Sequence, residues 1–366
     1  MVVFLFFTPI ISVVFSIIAS RKIDFSLTAM DSEIKKNEQA ALQIKAYKYT
    51  FIPVPFISVF IDTSEHFEPM FYSEYKFSMS SQKETAIDLT LMPQICGMGH
   101  ATLHNMYITD YLGIFKFKIK SAVITSRNIF IRPDIREIDD NKKLFANISS
   151  MMLDNDEDET TQSVLGGSSV PGYEYRDYIP GDSMKRINWK LSSKRRKLLV
   201  RKDEAASINI PAVYLDASET ALSCSERDKL MYQEKVIECS LSLLLFCVNL
   251  GIECTYSYYY DGIFHEESVS TEEQIEKLSF QVCHSVFSDS AAGKLFSHKA
   301  DNSKSKSINI IYTLNPAKVL NNPSAAIMRA NGAVNLVVPQ KIADTAKIRD
   351  CDIWAVSDEY SLVKYL

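Results

Sequence analysis

The chain opens on MVVFLFFTPIISVVFSIIAS, Met1 to Ser20, an apolar run without a charged side chain. As a helix it would reach about 30 Å, the thickness of the hydrocarbon core of a bilayer, which predicts a transmembrane helix over residues 1–20. A cleaved signal peptide and a buried core helix are the competing readings. A signal peptide carries Lys or Arg ahead of its apolar stretch, whereas here Arg21 and Lys22 follow it. By the positive-inside bias this order places the C-terminal side in the cytoplasm, as a single-pass anchor in the cell membrane with the bulk of the chain cytoplasmic. Pro9 is tolerated within a membrane helix, and the second apolar stretch, Leu241 to Leu250, is too short to span and reads as a core helix.

From Asp24 to Pro133 the pattern becomes short and period-2, in ALQIKAYKY, PFISVFID, YSEYKFSMS, TAIDLTLM, HATLHNMYITD, GIFKFKIK and NIFIRP. Six or seven such segments, with Pro53 and Pro55 at strand edges, predict an antiparallel β-sandwich over 24–135. Residues 136–170 turn polar, with the acidic cluster Asp154, Asp156, Glu157, Asp158 and Glu159 and the flexible Gly166-Gly167-Ser168-Ser169. This is the pattern of a linker or a solvated loop.

Over 205–366 apolar strand patterns alternate with helical ones: INIPAVYLD, a helix from Glu226 to Leu250, a hairpin turned at Asp261-Gly262, a helix near Thr271 to Cys283, then INIIYTL, a helix near Pro323 to Ala330, VNLVVP, a short helix and IWAVS. That order predicts an α/β domain with a mostly parallel sheet, in which ligands sit at the C-terminal ends of the strands.

Composition bounds the rest. The 366 residues, 46% hydrophobic and 23% charged with 11 Gly and 12 Pro, are those of an ordinary globular chain, and at about 150 residues per domain they allow two to three domains. Forty basic against 45 acidic side chains leave a net charge of −5, which argues against a surface that wraps nucleic acid. The cysteines, Cys96, Cys224, Cys239, Cys247, Cys254, Cys283 and Cys351, form no CxxC pair and read as reduced thiols, Cys239 and Cys247 as small core hydrophobes.

The most distinctive stretch is PGYEYRDYIPGDSMKRINWKLSSKRRKLLVRKDE, residues 171–204. Pro180 and Gly181 predict a turn and Asp182 a cap for the next helix, with Met184, Ile187 and Leu191 on one face. Trp189 supplies a large anchor, and Leu198 to Val200 read as the strand leading into the α/β domain. The segment is strongly basic through Lys185, Arg186, Lys190, Lys194, Arg195, Arg196, Lys197, Arg201 and Lys202. A solvated face drawn to anionic lipid or paired within the molecule is the plainest reading. A protein partner comes next, and nucleic acid last, because no reading helix, zinc finger or RNA-stacking motif accompanies the cluster.

RDYIPGDSMKRINWKLSSK, from Arg176 to Lys194, closely resembles the hallmark of the bacterial family called domain of unknown function 58. GHATLHNMYITDYLGIFKFK and NIFIRP are similar to the strands that precede the hallmark there, so the resemblance covers nearly the whole chain. It implies a multidomain α+β architecture: a membrane anchor, a β-rich region, the hallmark, and an α/β von Willebrand factor A-like domain of Rossmann type. The family usually has paired N-terminal membrane helices where this chain shows one. By resemblance Arg176, Tyr178, Pro180, Gly181, Asp182, Arg186, Trp189 and Lys190 carry the signature and the docking surface, and a MoxR-type AAA+ ATPase is the implied partner. The family supplies no reaction.

Domains of the A type hold a divalent cation with D-x-S-x-S after the first strand plus a Thr and an Asp from later loops. VYLDASET offers Asp216, Ser218 and Thr220 as hard oxygen ligands suited to Mg²⁺, but INIIY is followed by Thr313-Leu314-Asn315, so the second carboxylate is missing. A strand-end turn capped by Asp216 and Ser218 is the alternative. Of the histidines only His100 and His104 cluster, beside Cys96, and no fourth zinc ligand is evident. GxSxG, P-loop and GxGxxG elements are absent. The sequence therefore predicts a non-enzymatic, membrane-anchored scaffold without a cofactor, set against a cation-dependent receptor using Asp216 and, last, a hydrolase.

Overall fold

The computed structural model describes residues 2–69, 74–80, 84–119, 125–144, 170–179, 187–204, 211–284, 287, 295, 308–331, 334–345 and 351–365. It is a mixed α/β chain with several sheets. The acidic cluster at 154–159 and the glycine-serine stretch at 166–169 lie outside the described residues, as do Pro180, Gly181, Asp182, Met184, Lys185 and Arg186.

The period-2 region forms a β-sandwich. One sheet has the order β1 (Ile23–Ala29), β3 (Ala40–Lys48), β6 (Glu84–Leu91); the other runs β2 (Glu33–Lys35), β9 (Ser126–Arg132), β7 (Gly97–Thr109), β4 (Val54–Thr63), β5 (Glu74–Met79), with β8 (Lys116–Lys118) also paired to β7. All pairs are antiparallel except β2 with β9. Alternation decides which side is core: β3 buries every second residue, as a strand with one solvated face must. Phe25, Leu27 and Ile44 of one sheet meet Ile57, Val59 and Ile131 of the other in a single apolar core.

Helix α1 (Val2–Ser20) precedes β1. Its side chains at residues 1–6 lie outside the described ones, and among the described residues no helix is long and apolar enough to cross a membrane. The C-terminal part of α1 is packed against the sandwich on one side, with Ser12, Ser16 and Ala19 buried.

The basic stretch forms a unit of its own. Strands β10 (Val170–Asp177) and β11 (Leu199–Glu204) pair antiparallel in a two-stranded sheet, with the short helix α2 (Trp189–Arg195) between them. The expected helix through Met184, Ile187 and Leu191 is corrected here. Asn188 is the N-cap, its side chain accepting from Leu191 N, and Ile187 is a β-bridge partner of Val200. A helix that starts at Trp189 leaves Ile187 outside it, in the β-bridge, and Met184 lies outside the described residues. The strand at Leu198 to Val200 returns along β10 and does not join the large sheet.

That sheet has the order β14 (Ile263–Val269), β13 (Cys254–Tyr260), β12 (Ala212–Leu215), β15 (Asn309–Tyr312), β16 (Val334–Pro339), β17 (Asp352–Val356), β18 (Leu362–Tyr365). Strands β13 through β17 are parallel, and β14 and β18 run antiparallel at the edges. The β13–β14 hairpin turns at Asp261 and Gly262, both at positive φ, as a two-residue turn between twisted strands requires. Helix α3 (Glu226–Asn249) packs on β12, β13, β15 and β16, and α4 (Glu272–Cys283) on α3 and β13. Helices α5 (Pro316–Leu320), α6 (Pro323–Asn331) and α7 (Gln340–Thr345) follow, α7 lying on β16 and β17.

Every residue from Glu234 to Leu244 of α3 is buried, Cys239 included, because the helix is covered by the sheet and by the sandwich together. Glu234 and Glu238, one turn apart, meet the sandwich at a polar seam. Lys36 pairs with them at 3.0 and 3.5 Å, Cys96 N donates to Glu234 Oε1 at 2.7 Å, Asp134 N donates to Glu238 Oε1 at 2.8 Å, and the Tyr360 hydroxyl donates to Glu238 Oε2. Phe130 of β9 packs against Phe280 and His284 beside it.

Candidate functional site

Two places gather the chemistry that the sequence singled out. The first is the ribbon. Asn188 fixes α2 on the strands: its backbone N donates to Leu199 O at 3.0 Å and its Nδ2 to the Tyr175 hydroxyl at 2.9 Å. Ser192, buried in α2, accepts from Leu199 N at 2.9 Å, and Tyr178 N donates to Leu198 O at 2.9 Å. With its polar groups tied to β11, the helix turns the rest outward. Trp189 is 58% exposed, and Ile179 and Leu198 are exposed too. Lys190, Lys194, Arg195, Arg196 and Lys197 are all exposed, Lys197 lying 3.8 Å from Asp177. Of the other signature residues, Arg176 lies in β10 and Tyr178 just after it, half-buried.

The second place is the strand-end crevice between β12 and β15. The chain leaves β12 toward β13 on one side, and β15 leads to β16 on the other, so this is where the strand order reverses and where open α/β sheets leave room for a ligand. Asp216 follows β12 and Thr313 follows β15, held by Asp216 N to Tyr312 O at 2.9 Å and Thr313 N to Val337 O at 3.1 Å. The Asp216 carboxylate is buried. Its Oδ2 accepts from Ser218 Oγ at 2.5 Å and Thr313 Oγ1 at 2.8 Å, while its Oδ1 is buried with no hydrogen-bond partner among the described residues. Burial raises the Asp216 carboxyl above its ordinary range, against the pull of both hydroxyls, of the Ser218 backbone N–H and of Lys318.

Asp216 and Ser218 are thus brought together with Thr313, whereas Thr220 accepts from Leu222 N at 3.3 Å within its own loop. Asn315, at the position of the missing second carboxylate, caps α5 by accepting from Lys318 N and donates from Nδ2 to Glu219 O at 3.3 Å. The donor set is one carboxylate and two hydroxyls. It fits a divalent cation through the orphaned Oδ1 but lacks the charge of a strong site.

Cys96, His100 and His104, which lacked a fourth zinc ligand in the sequence, are not brought together. His104 lies beside Phe60 and His100 pairs with Asn128, both exposed on β7, while Cys96 is buried at the seam with Glu234 and Glu238, where one atom from each lies within 4.8 Å of the others. The Lys36 ammonium already occupies the charge-neutralising position there. The sequence does hold a signal for this seam: two glutamates four apart, Glu238 set between the apolar pair Val236-Ile237 and Cys239.

Compared with families of known sequence and with characterised proteins, the chain matches none. Among solved structures it is similar over 30% of its length to a CARDB domain from Pyrococcus furiosus solved with di-metal ions, at 13% identity, covering 91% of that chain with a TM-score of 0.22. A cohesin module from Clostridium perfringens is similar over 30%, at 7% identity, covering 97% of that chain with a TM-score of 0.24. Alpha-2-macroglobulin from Escherichia coli is similar over 32%, at 12% identity, covering 18% of that chain with a TM-score of 0.27. Likenesses this slight carry no functional argument.

Proposed function

We propose that this chain is a non-enzymatic docking platform held at a membrane by α1, which presents the β10–α2–β11 ribbon to a protein partner. The observation that carries it is Trp189: a large aromatic, 58% exposed, on a helix whose cap and backbone are fixed from behind, among five exposed cations. Exposed Trp within a basic patch matches the residue types that dominate binding energy at interfaces, and the surface it fits is acidic with an apolar pocket. The resemblance to the domain of unknown function 58 family supports a MoxR-type AAA+ ATPase as that partner, and supports reading the large sheet as a von Willebrand factor A-like domain. Co-purification from detergent-solubilised membranes tests it. Trp189→Ala is expected to lose the ATPase, and an unchanged set of captured proteins would refute the docking role.

A second reading rests on Asp216. Its unpartnered Oδ1 at the reversal point of the sheet suits a weak Mg²⁺ or Mn²⁺ site through which a ligand is held. Calorimetry with either ion on the full chain is expected to show heat that Asp216→Ala abolishes, and equal heats would remove this reading.

A further inference from the structure

Helix α1 is amphipathic in the reverse sense. The residues it buries are small, Ser12, Ser16 and Ala19, while Phe7, Ile10, Ile11, Val14, Phe15 and Ile18 face outward, Ile10 at 59% exposure. A helix on the surface of a protein in water does the opposite. Ser12 also ties the helix to a loop of the sandwich. Ser12 Oγ donates to Asp110 Oδ2 at 3.1 Å and accepts from Tyr111 N at 3.0 Å. Asp110, itself buried, accepts from Phe115 N at 2.7 Å and Leu112 N at 3.3 Å and so closes the loop between β7 and β8. The Tyr111 hydroxyl donates to Pro53 O, and Tyr49 N to Lys22 O at 2.9 Å. Helix, 110–115 loop and 49–53 turn are therefore one assembly at one end of the sandwich.

That assembly is apolar where it meets solvent. Phe51 is 94% exposed and Ile114 63%, with Leu112, Phe115 and Phe56 exposed beside them. A rim of Tyr49 and Tyr111 hydroxyls and of exposed Arg21, Lys22, Lys116 and Lys118 surrounds this surface, the composition found where proteins meet the headgroup layer. From Ser12 to Ser20 is about 12 Å of helix, so the loop pinned at Ser12 reaches well beyond the helix base. We propose that the outward face of α1 and the loop tips at Phe51 and Leu112 to Phe115 form one bilayer-embedded surface, sinking this end of the sandwich into the interfacial layer of an anionic membrane. The proposal rests on the membrane-held reading above and adds that the sandwich itself inserts.

The full chain in phosphatidylcholine–phosphatidylglycerol vesicles tests it, with Phe51→Trp and Ile114→Trp as depth probes and Val363→Trp, exposed at the far edge of the large sheet, as the control. Emission is compared with the parent chain in vesicles of unlabelled and of brominated lipid. Expected is flotation with the vesicles, quenching of the added indole at 51 and 114 by bromines near the headgroup, and none at 363. Flotation with the indoles quenched only by aqueous iodide overturns the embedded surface and leaves the tether standing. Indoles reached by neither quencher mean a protein cover, such as a second copy, and overturn it as well. Failure to float removes the tether and this surface together.

Discussion

Lys36 of the sandwich and Glu234 of helix α3 form an ion pair at 3.0 Å across the seam between the two largest parts of the molecule, with both side chains almost closed off from solvent. Glu238 lies 3.5 Å from the same ammonium. Removing the cation leaves two adjacent carboxylates buried and unpaired, which is the costly direction for such a network. Lys36→Met is expected to lower stability by about 3–5 kcal/mol in urea unfolding. Adding Glu234→Gln and Glu238→Gln should restore much of it, and an additive further loss would show that the seam does not work as a pair.

The same seam sets a pH dependence. Burial, then the Glu238 charge, push the Glu234 carboxyl up to about 7. A raised folded-state value means that the folded chain binds the proton more tightly, so this contribution is complete below the unfolded value and fades as pH rises toward 7. His66 runs the other way. Burial and the His100 charge lower it to about 4, so its contribution is present above the ordinary histidine value and fades as pH falls toward 4. The two slopes oppose each other. Glu234→Gln is expected to leave the His66 slope, with melting temperature rising between pH 4 and 6.5, and His66→Gln to leave the reverse slope, both read by thermal scans.

Gly99 tests the packing of the sandwich. A Cβ there would lie 2.7 and 2.9 Å from ring carbons of the fully buried Phe67. Gly99→Ala is expected to cost about 1–3 kcal/mol through overpacking, and Phe67→Leu in the same chain should relieve part of that cost.

Asp216 carries a desolvated carboxylate with one unmatched oxygen. Its raised value makes its contribution fade with rising pH. Asp216→Asn, which keeps an acceptor for Ser218 and Thr313 but carries no charge, is expected to melt no lower than the parent above neutral pH. Mn²⁺ should then raise the melting temperature of the parent alone.

Periodicity made much of this fold legible. The alternation of ALQIKAYKY is the one-sided burial of β3, and Asp261-Gly262 is the turn of β13–β14. Shorter strands are less legible: IDFSLTA is β1, and the three-residue β2 has too little sequence to alternate. In the ribbon, Asn188 is a competent cap, and its bond from Leu191 N together with the bridge from Ile187 to Val200 sets the start of α2 at Trp189. The crevice was half visible. Asp216 and Ser218 stand two apart, but Thr313 joins them only because β15 lies beside β12. The hydrophobicity of helix α1 says nothing of which of its residues are buried. Ser12 holds the loop, and that contact spans about a hundred residues of sequence.

The docking proposed for Trp189 and its neighbouring cations on a membrane-held chain is read by titrating a purified MoxR-type ATPase onto the full chain in lipid nanodiscs, with the parent compared against Trp189→Ala and against a chain carrying Lys194→Glu and Arg195→Glu. Expected is saturable binding that Trp189→Ala weakens at every salt concentration, and that the charge reversals weaken most at low salt. Equal affinities for all three chains would contradict it.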